Sequence, residues 1–136
     1  MAFTGNFTCN VFKKGLLNGD FDLSVDTIKI ALYTNSTTLD ASTTAYTTTG
    51  EVVATGYTAG GNTLTPTVSI SNNVAFVTFA NTSWSGAFTA RGALIYKAGA
   101  NGAICVLDFG SDKTSVTTFQ VQFPPATSTS AIIRLS

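Results

Sequence analysis

The run Asp26-Thr27-Ile28-Lys29-Ile30-Ala31-Leu32-Tyr33-Thr34 alternates with the two-residue period of a strand and opens into a Thr-rich stretch. Over 27–34 the alternation assigns Ile28, Ile30 and Leu32 to a core face and Lys29, Ala31 and Tyr33 to the other. Similar patterns predict strands at 67–70, 74–79, 91–96, 103–109, 117–123 and 129–135, with a shorter one at 51–54. The 74–79 segment is apolar on both faces, so it is expected to lie between layers or subunits. Pro66 marks an edge or a strand start, because proline cannot donate to a ladder. Ser71-Asn72-Asn73 between two strand patterns predicts a hairpin, and 98–102 and 110–113 carry turn signals.

Two stretches break the period. Cys9, Phe12 and Leu16 recur at helical spacing, with Val11 and Leu17 beside them, Thr8 able to cap the start and Asn18-Gly19 to stop the end. This predicts one short helix over 8–18 whose Phe12 and Leu16 side packs on a sheet, although Gly15 weakens it. Residues 35–50 are almost wholly Asn, Ser, Thr, Ala and Tyr, and 55–62 read as a turn-rich link. The 35–50 loop is longer than an ordinary connection, with too few large apolar groups to fold against its own core. It is expected to be ordered by a neighbouring chain, with Leu39 and Tyr46 as anchors. The whole pattern predicts a single domain, 1–136. It is mainly all-β, an antiparallel sandwich of jelly-roll or immunoglobulin-like type with one short N-terminal helix.

Composition moves the expectation from chemistry to surfaces. Apolar residues are 44% of the chain and charged residues only 10%, far below the roughly 25% of ordinary domains, so uncharged polar groups do the solvating. A surface thin in charge repels neighbours weakly and suits permanent assembly. Seven basic and seven acidic residues give a net charge of zero, which argues against nucleic acid as a partner. There is no histidine, so the usual general base and the commonest metal ligand are both missing. The N-terminal residues lack a basic stretch followed by an apolar one, and no 18-residue apolar run occurs, so synthesis in a cytoplasm and no membrane partner are expected. Cys9 and Cys105 form no metal or redox motif and read as buried free thiols. Asn-x-Ser/Thr matches at Asn6, Asn35 and Asn81 are what a Thr-rich chain contains by chance.

Few residues could carry a reaction. Asp20, Asp22 and Asp26 could touch a calcium ion, but they lack the glycine and distal glutamate of a calcium loop and read as a solvated turn. Glu51, the only glutamate, with Asp108 and Asp112 could supply a glycosidase pair, yet no spacing selects one. The hydroxyls have no adjacent histidine base, and Gly56, Gly60 and Gly61 sit in a turn rather than ahead of a long helix. Trp84 reads as a large core filler. Arg91 lies inside an apolar strand and needs a partner, either Asp108 or Asp112 on a neighbouring strand or an acid on another subunit.

Several runs carry a resemblance. Phe12-Lys13-Lys14-Gly15-Leu16-Leu17, Asp26 to Thr34 as quoted above, Thr43-Thr44-Ala45-Tyr46-Thr47, Gly56-Tyr57-Thr58-Ala59-Gly60-Gly61, Ala90-Arg91-Gly92-Ala93-Leu94-Ile95-Tyr96, Leu107-Asp108-Phe109-Gly110-Ser111-Asp112-Lys113 and Ala131-Ile132-Ile133-Arg134 together resemble a family of small virion proteins of tailed bacteriophages. The similarity runs over nearly the whole chain. It implies a structural role with no enzymatic activity and no cofactor. Within that class a head decoration, or cement, protein is expected. It would bind the major capsid protein on the outer surface of the capsid, stabilise the head, and act as a homo-oligomer, a trimer or alternatively a dimer on two-fold positions, assembled in the host cytoplasm. The alternatives are a tail, collar or fibre-base component, and a carbohydrate-binding β-sandwich that would use exposed aromatics near Trp84 and Tyr57.

Overall fold

The computed structural model describes residues 3–124, 127 and 129–135. The expected antiparallel, all-β, sandwich-like architecture with one short helix is what the chain adopts. The largest sheet has five strands in the order β1 (Phe7–Thr8), β8 (Ala103–Thr114), β7 (Thr89–Lys97), β2 (Ile28–Tyr33) and β3 (Asn62–Leu64). A second sheet orders β10 (Ile133–Leu135), β5 (Val74–Phe79) and β4 (Pro66–Ser71), and β6 (Thr82–Ser85) pairs with β9 (Thr118–Val121). Side chains from all three sheets and from the helix α1 (Asn10–Asn18) meet in one apolar cluster, among them Phe12, Ile30, Ile95, Val77 and Trp84.

β2 is buried on both faces, not one: Ala31 and Tyr33 are as inaccessible as Ile28, Ile30 and Leu32. The cause is coverage by the segment that follows. β3 pairs only with Ile28, Lys29 and Ile30. Beyond that point residues 51–57 take over the edge. Val52 N–H donates to Leu32 O at 3.0 Å, Leu32 N–H donates to the Tyr57 hydroxyl at 2.9 Å, and Glu51 makes a single bridge with Tyr33. The strand expected at 51–54 is therefore reduced to one bridge, and Val53 points to solvent. Gly61 makes this close approach possible. Its φ is +78°, and a Cβ there would lie 1.7 Å from Ile30 O.

The helix also differs from expectation in detail. Thr8 belongs to β1, opposite Cys105, and Cys9 stands at the N-cap in an extended conformation with no side-chain cap. Gly19, at φ 80°, ends the helix in the left-handed region, and Asp20 N–H returns to Gly15 O at 2.8 Å. The buried face is Phe12 and Gly15, whereas Leu16 is exposed. Phe21 explains this: its ring meets Phe12 edge-on at 5.0 Å and lies where a Gly15 Cβ would be, 2.5 Å away. A glycine inside a short helix is here a seat for an aromatic ring.

Other boundaries moved because short polar strands carry little periodic signal. β1, β3 and β6 fall in stretches that predicted no strand, and β10 is three residues long where seven were expected. The turn signal at 110–113 lies inside β8, where Gly110 takes φ 85° without ending the strand. Both cysteines are free and buried, and burial pushes their thiol pKa values up, that of Cys9 to about 11 with the Asp40 charge as a lesser contributor.

Candidate functional site

Of the predicted charge partners, Asp108 faces Arg91. Arg91 Nε donates to Asp108 Oδ1 at 3.0 Å and Nη2 to Oδ2 at 3.4 Å, a two-pronged pair across β7 and β8 where the register shifts between Ala90 and Gly92. Burial pushes the Asp108 carboxyl up. Hydrogen bonds from Arg91 and from Gly110 N–H, with the Arg91 charge, outweigh it and hold the group below the ordinary carboxylate range. Asn6 Oδ1 accepts from Asp108 N–H at 2.6 Å, so the pair also ties down the N-terminal segment. Asp112 is exposed and lies outside this pair. The pair is an internal staple of the chain.

The 35–50 loop is held by its own domain, which corrects the expectation that it lacks the means to fold there. Leu39 is 3% exposed and belongs to the core. Tyr46 stacks on Tyr96 with ring centroids 4.8 Å apart and donates its hydroxyl to Glu51 Oε1 at 2.5 Å. The backbone is tied as well: Asn10 N–H donates to Ala41 O, Ala103 N–H to Thr44 O, the Tyr33 hydroxyl to Thr47 O and Thr34 N–H to Gly50 O. A polar loop can be fixed to its own domain through its backbone groups, and here hydroxyls and carbonyls supply partners for several of them. Leu39 and Tyr46 are therefore committed within the chain, in place of the anchoring role expected between chains.

Glu51, noted in the sequence only as the lone glutamate and a possible member of an acid pair, is a hub. Its Oε2 accepts from the Tyr57 hydroxyl at 2.6 Å and from Gly60 N–H at 2.8 Å, while Oε1 accepts from Tyr46. The Tyr57 hydroxyl in turn accepts Leu32 N–H, and the Tyr96 hydroxyl donates to Gly60 O at 2.7 Å. Burial first, then the Glu51 charge, raises the pKa of Tyr96 to about 12, and burial likewise raises Tyr33, Tyr46 and Tyr57. The carboxylate is buried and engaged by three donors, an arrangement suited to clamping the 35–60 segment. The only available sign was compositional: one glutamate placed among tyrosines.

Of the three acids at 20–26, Asp20 is exposed and the other two are engaged. Asp22 accepts from Ser24 and Asp26 from Asp22 N–H, and Lys97 Nζ lies 3.1 Å from Asp26. Among the described residues no group of three acid, cysteine or histidine side chains is placed to hold a metal ion. No helix among them is long and apolar enough to cross a membrane. Trp84 and Tyr57 are both buried, in a cluster of rings with Phe88 and Phe119, so neither offers a sugar-stacking surface.

One sheet carries an apolar face outward. Register places Val68, Val77 and Ile133 in one row across the β4–β5–β10 sheet, and Ile70, Ala75 and Leu135 in the next. In the first row Val77 and Ile133 are buried; in the second Ile70 is 75% and Leu135 63% exposed. The face thus runs out of the core into solvent. Beside it a groove of about 430 Å³ is lined by Phe12, Leu16, Phe21, Leu23, Val77 and Ile133. Comparison with known protein families, curated proteins and solved structures gives no match.

Proposed function

We propose that this chain is a structural protein of a tailed-phage virion, a head decoration protein that binds the outer surface of the capsid lattice and stabilises it. The observation that carries the reading is the outward continuation of the apolar sheet face through Val68, Ile70 and Leu135, with no charge among these residues to oppose close contact. The resemblance of the quoted runs to small virion proteins supplies the context, and the low charge fits a protein covered by neighbours over its lifetime. Two of its acids are taken up internally, Glu51 by tyrosines and Asp108 by Arg91. Binding the assembled lattice more tightly than the free capsid subunit stabilises the lattice by linkage.

The test is a heat challenge of phage heads prepared with and without the protein. Heads lacking it release DNA at a lower temperature, and adding back the purified protein restores them. Heads that retain DNA equally well while failing to join tails would move the protein to the tail, collar or fibre base.

A further inference from the structure

β4 is an open sheet edge of unusual regularity. It pairs with β5 on one side, nothing among the described residues pairs on the other, and every residue from Thr67 to Ser71 is exposed. Edge strands are ordinarily protected by a charge, a bulge or a central proline. Here 67–71 carry no charge, the ladder with β5 runs without a shift, and the proline stands at the first position.

The direction of the backbone groups follows from the hairpin. Asn72 and Asn73 have φ 52° and 64°, the conformation of a two-residue turn whose flanking pair, Ser71 and Val74, exchanges both ladder bonds. Ala80 N–H donates to Thr65 O at 3.2 Å, which fixes the same parity at the other end. Thr67, Ser69 and Ser71 therefore direct their N–H and C=O groups to β5, and Val68 and Ile70 direct theirs outward. Pro66 has the outward parity, so its missing N–H takes nothing from β5.

We infer that β4 pairs with β4 of a second copy, antiparallel, about a two-fold axis at Ser69. In that register Val68 lies opposite Ile70 of the second copy and Ile70 opposite its Val68. All four outward N–H groups are then used. Centring the pair on Ile70 leaves half of them unused, because residue 72 is in the turn; centring it on Val68 seats Ile70 N–H on Pro66 O but leaves both Ile70 carbonyls without a donor, because Pro66 has no N–H. The centred register also joins the exposed apolar rows of the two copies into one stripe, Val68 against Ile70, and with no charge in 67–71 a copy meets no repulsion. An isologous pair of this kind closes on itself and leaves no further β4 edge open. The inference stands on the chain alone, independently of the virion reading, and of the two oligomers expected it selects the two-fold dimer over the trimer.

Four substitutions test it in the full-length protein. Ser69→Cys places two thiols opposite each other in a non-hydrogen-bonded pair with Cα atoms about 4.5 Å apart, within disulfide reach. Ser71→Cys, on the same strand face, leaves its thiols about 13 Å apart. Mild oxidation is expected to cross-link the first into a dimer and not the second; the native cysteines are buried. Ile70→Pro removes an outward N–H while leaving every bond to β5, and is expected to weaken dimerisation in sedimentation at least about tenfold with little change in melting temperature. Should the proline disturb the fold, Ile70→Lys gives the same readout through charge. A protein that stays monomeric at every concentration overturns the inference and leaves the edge to a strand from another protein. Equal cross-linking of the two cysteine variants, or a dimer indifferent to both changes at Ile70, overturns it as well.

Discussion

Replacing Tyr57 by Phe probes the clamp around Glu51 with the removal of a single oxygen. The hydroxyl makes two bonds in the interior, donating to Glu51 Oε2 at 2.6 Å and accepting Leu32 N–H at 2.9 Å. A bond to a charged group contributes about 1.5–3 kcal/mol, and an N–H left without a partner in the core costs about 1–3 kcal/mol. Leu32 is fully buried, so water does not replace the lost acceptor. The sum is a loss of about 3–5 kcal/mol, a large part of the roughly 5–15 kcal/mol that holds a domain folded. At this chain length it lowers Tm by roughly 10–20 °C. Tyr46→Phe is the internal comparison: it removes one bond, leaves Glu51 two donors and keeps the stack on Tyr96, so about 1–2 kcal/mol is expected. Urea unfolding of the three proteins measures both values. A cost for Tyr57→Phe below about 1 kcal/mol, or no larger than that of Tyr46→Phe, would refute the clamp.

Leu39→Ala is expected to cost about 2–5 kcal/mol in the isolated protein, since the side chain lies in the chain's own core; a near-neutral result in denaturant unfolding would return Leu39 to an intersubunit role. Gly15→Ala would gain about 1 kcal/mol from helix propensity alone, yet is expected to lower Tm because its methyl group collides with the Phe21 ring. The pH dependence of unfolding has two limbs with opposite causes. Asp108 has a lowered pKa when folded, so its contribution is present above its unfolded value near 4 and is lost as pH falls below it; Arg91→Ala should flatten this limb. Tyr33, Tyr46, Tyr57 and Tyr96 have raised values when folded. Their contribution is present below about pH 10 and is lost as pH rises further, which phenolate absorbance during unfolding can follow.

Strong periodicity was readable and weak periodicity was not. β2, β5 and β7 announced themselves through runs of Ile, Leu, Val and Phe, and Asn72-Asn73 marked its hairpin, because these signals are local. β1, β3 and β6 are two to four residues long and mostly polar; they are strands because a neighbour needs an edge partner, a reason no local pattern contains. The 35–50 segment misled for a similar cause. Its polarity suggested solvent, and most of it is at the surface, but Leu39, Tyr46 and a series of backbone bonds tie it to β2 and its surroundings. Arg91 was legible as a residue in need of an acid, since a charge in an apolar strand must be paired, and register then chose Asp108 over Asp112. Glu51 was legible only as a rarity, because its three donors come from positions five to nine residues away through turns that the sequence does not specify. The alternation of 67–70 did not mark this strand as the open edge; Pro66, read as an edge or a strand start, was the one sign.

The most direct test of a head decoration role is the position of this protein in purified particles, determined by three-dimensional reconstruction and checked by copy number against the major capsid protein. The account predicts density for this fold on the outer capsid surface, repeated at symmetry-related lattice positions, with the β4–β5–β10 face against a neighbouring subunit. Density confined to the tail or its collar, or particles that lack the protein altogether, would contradict it.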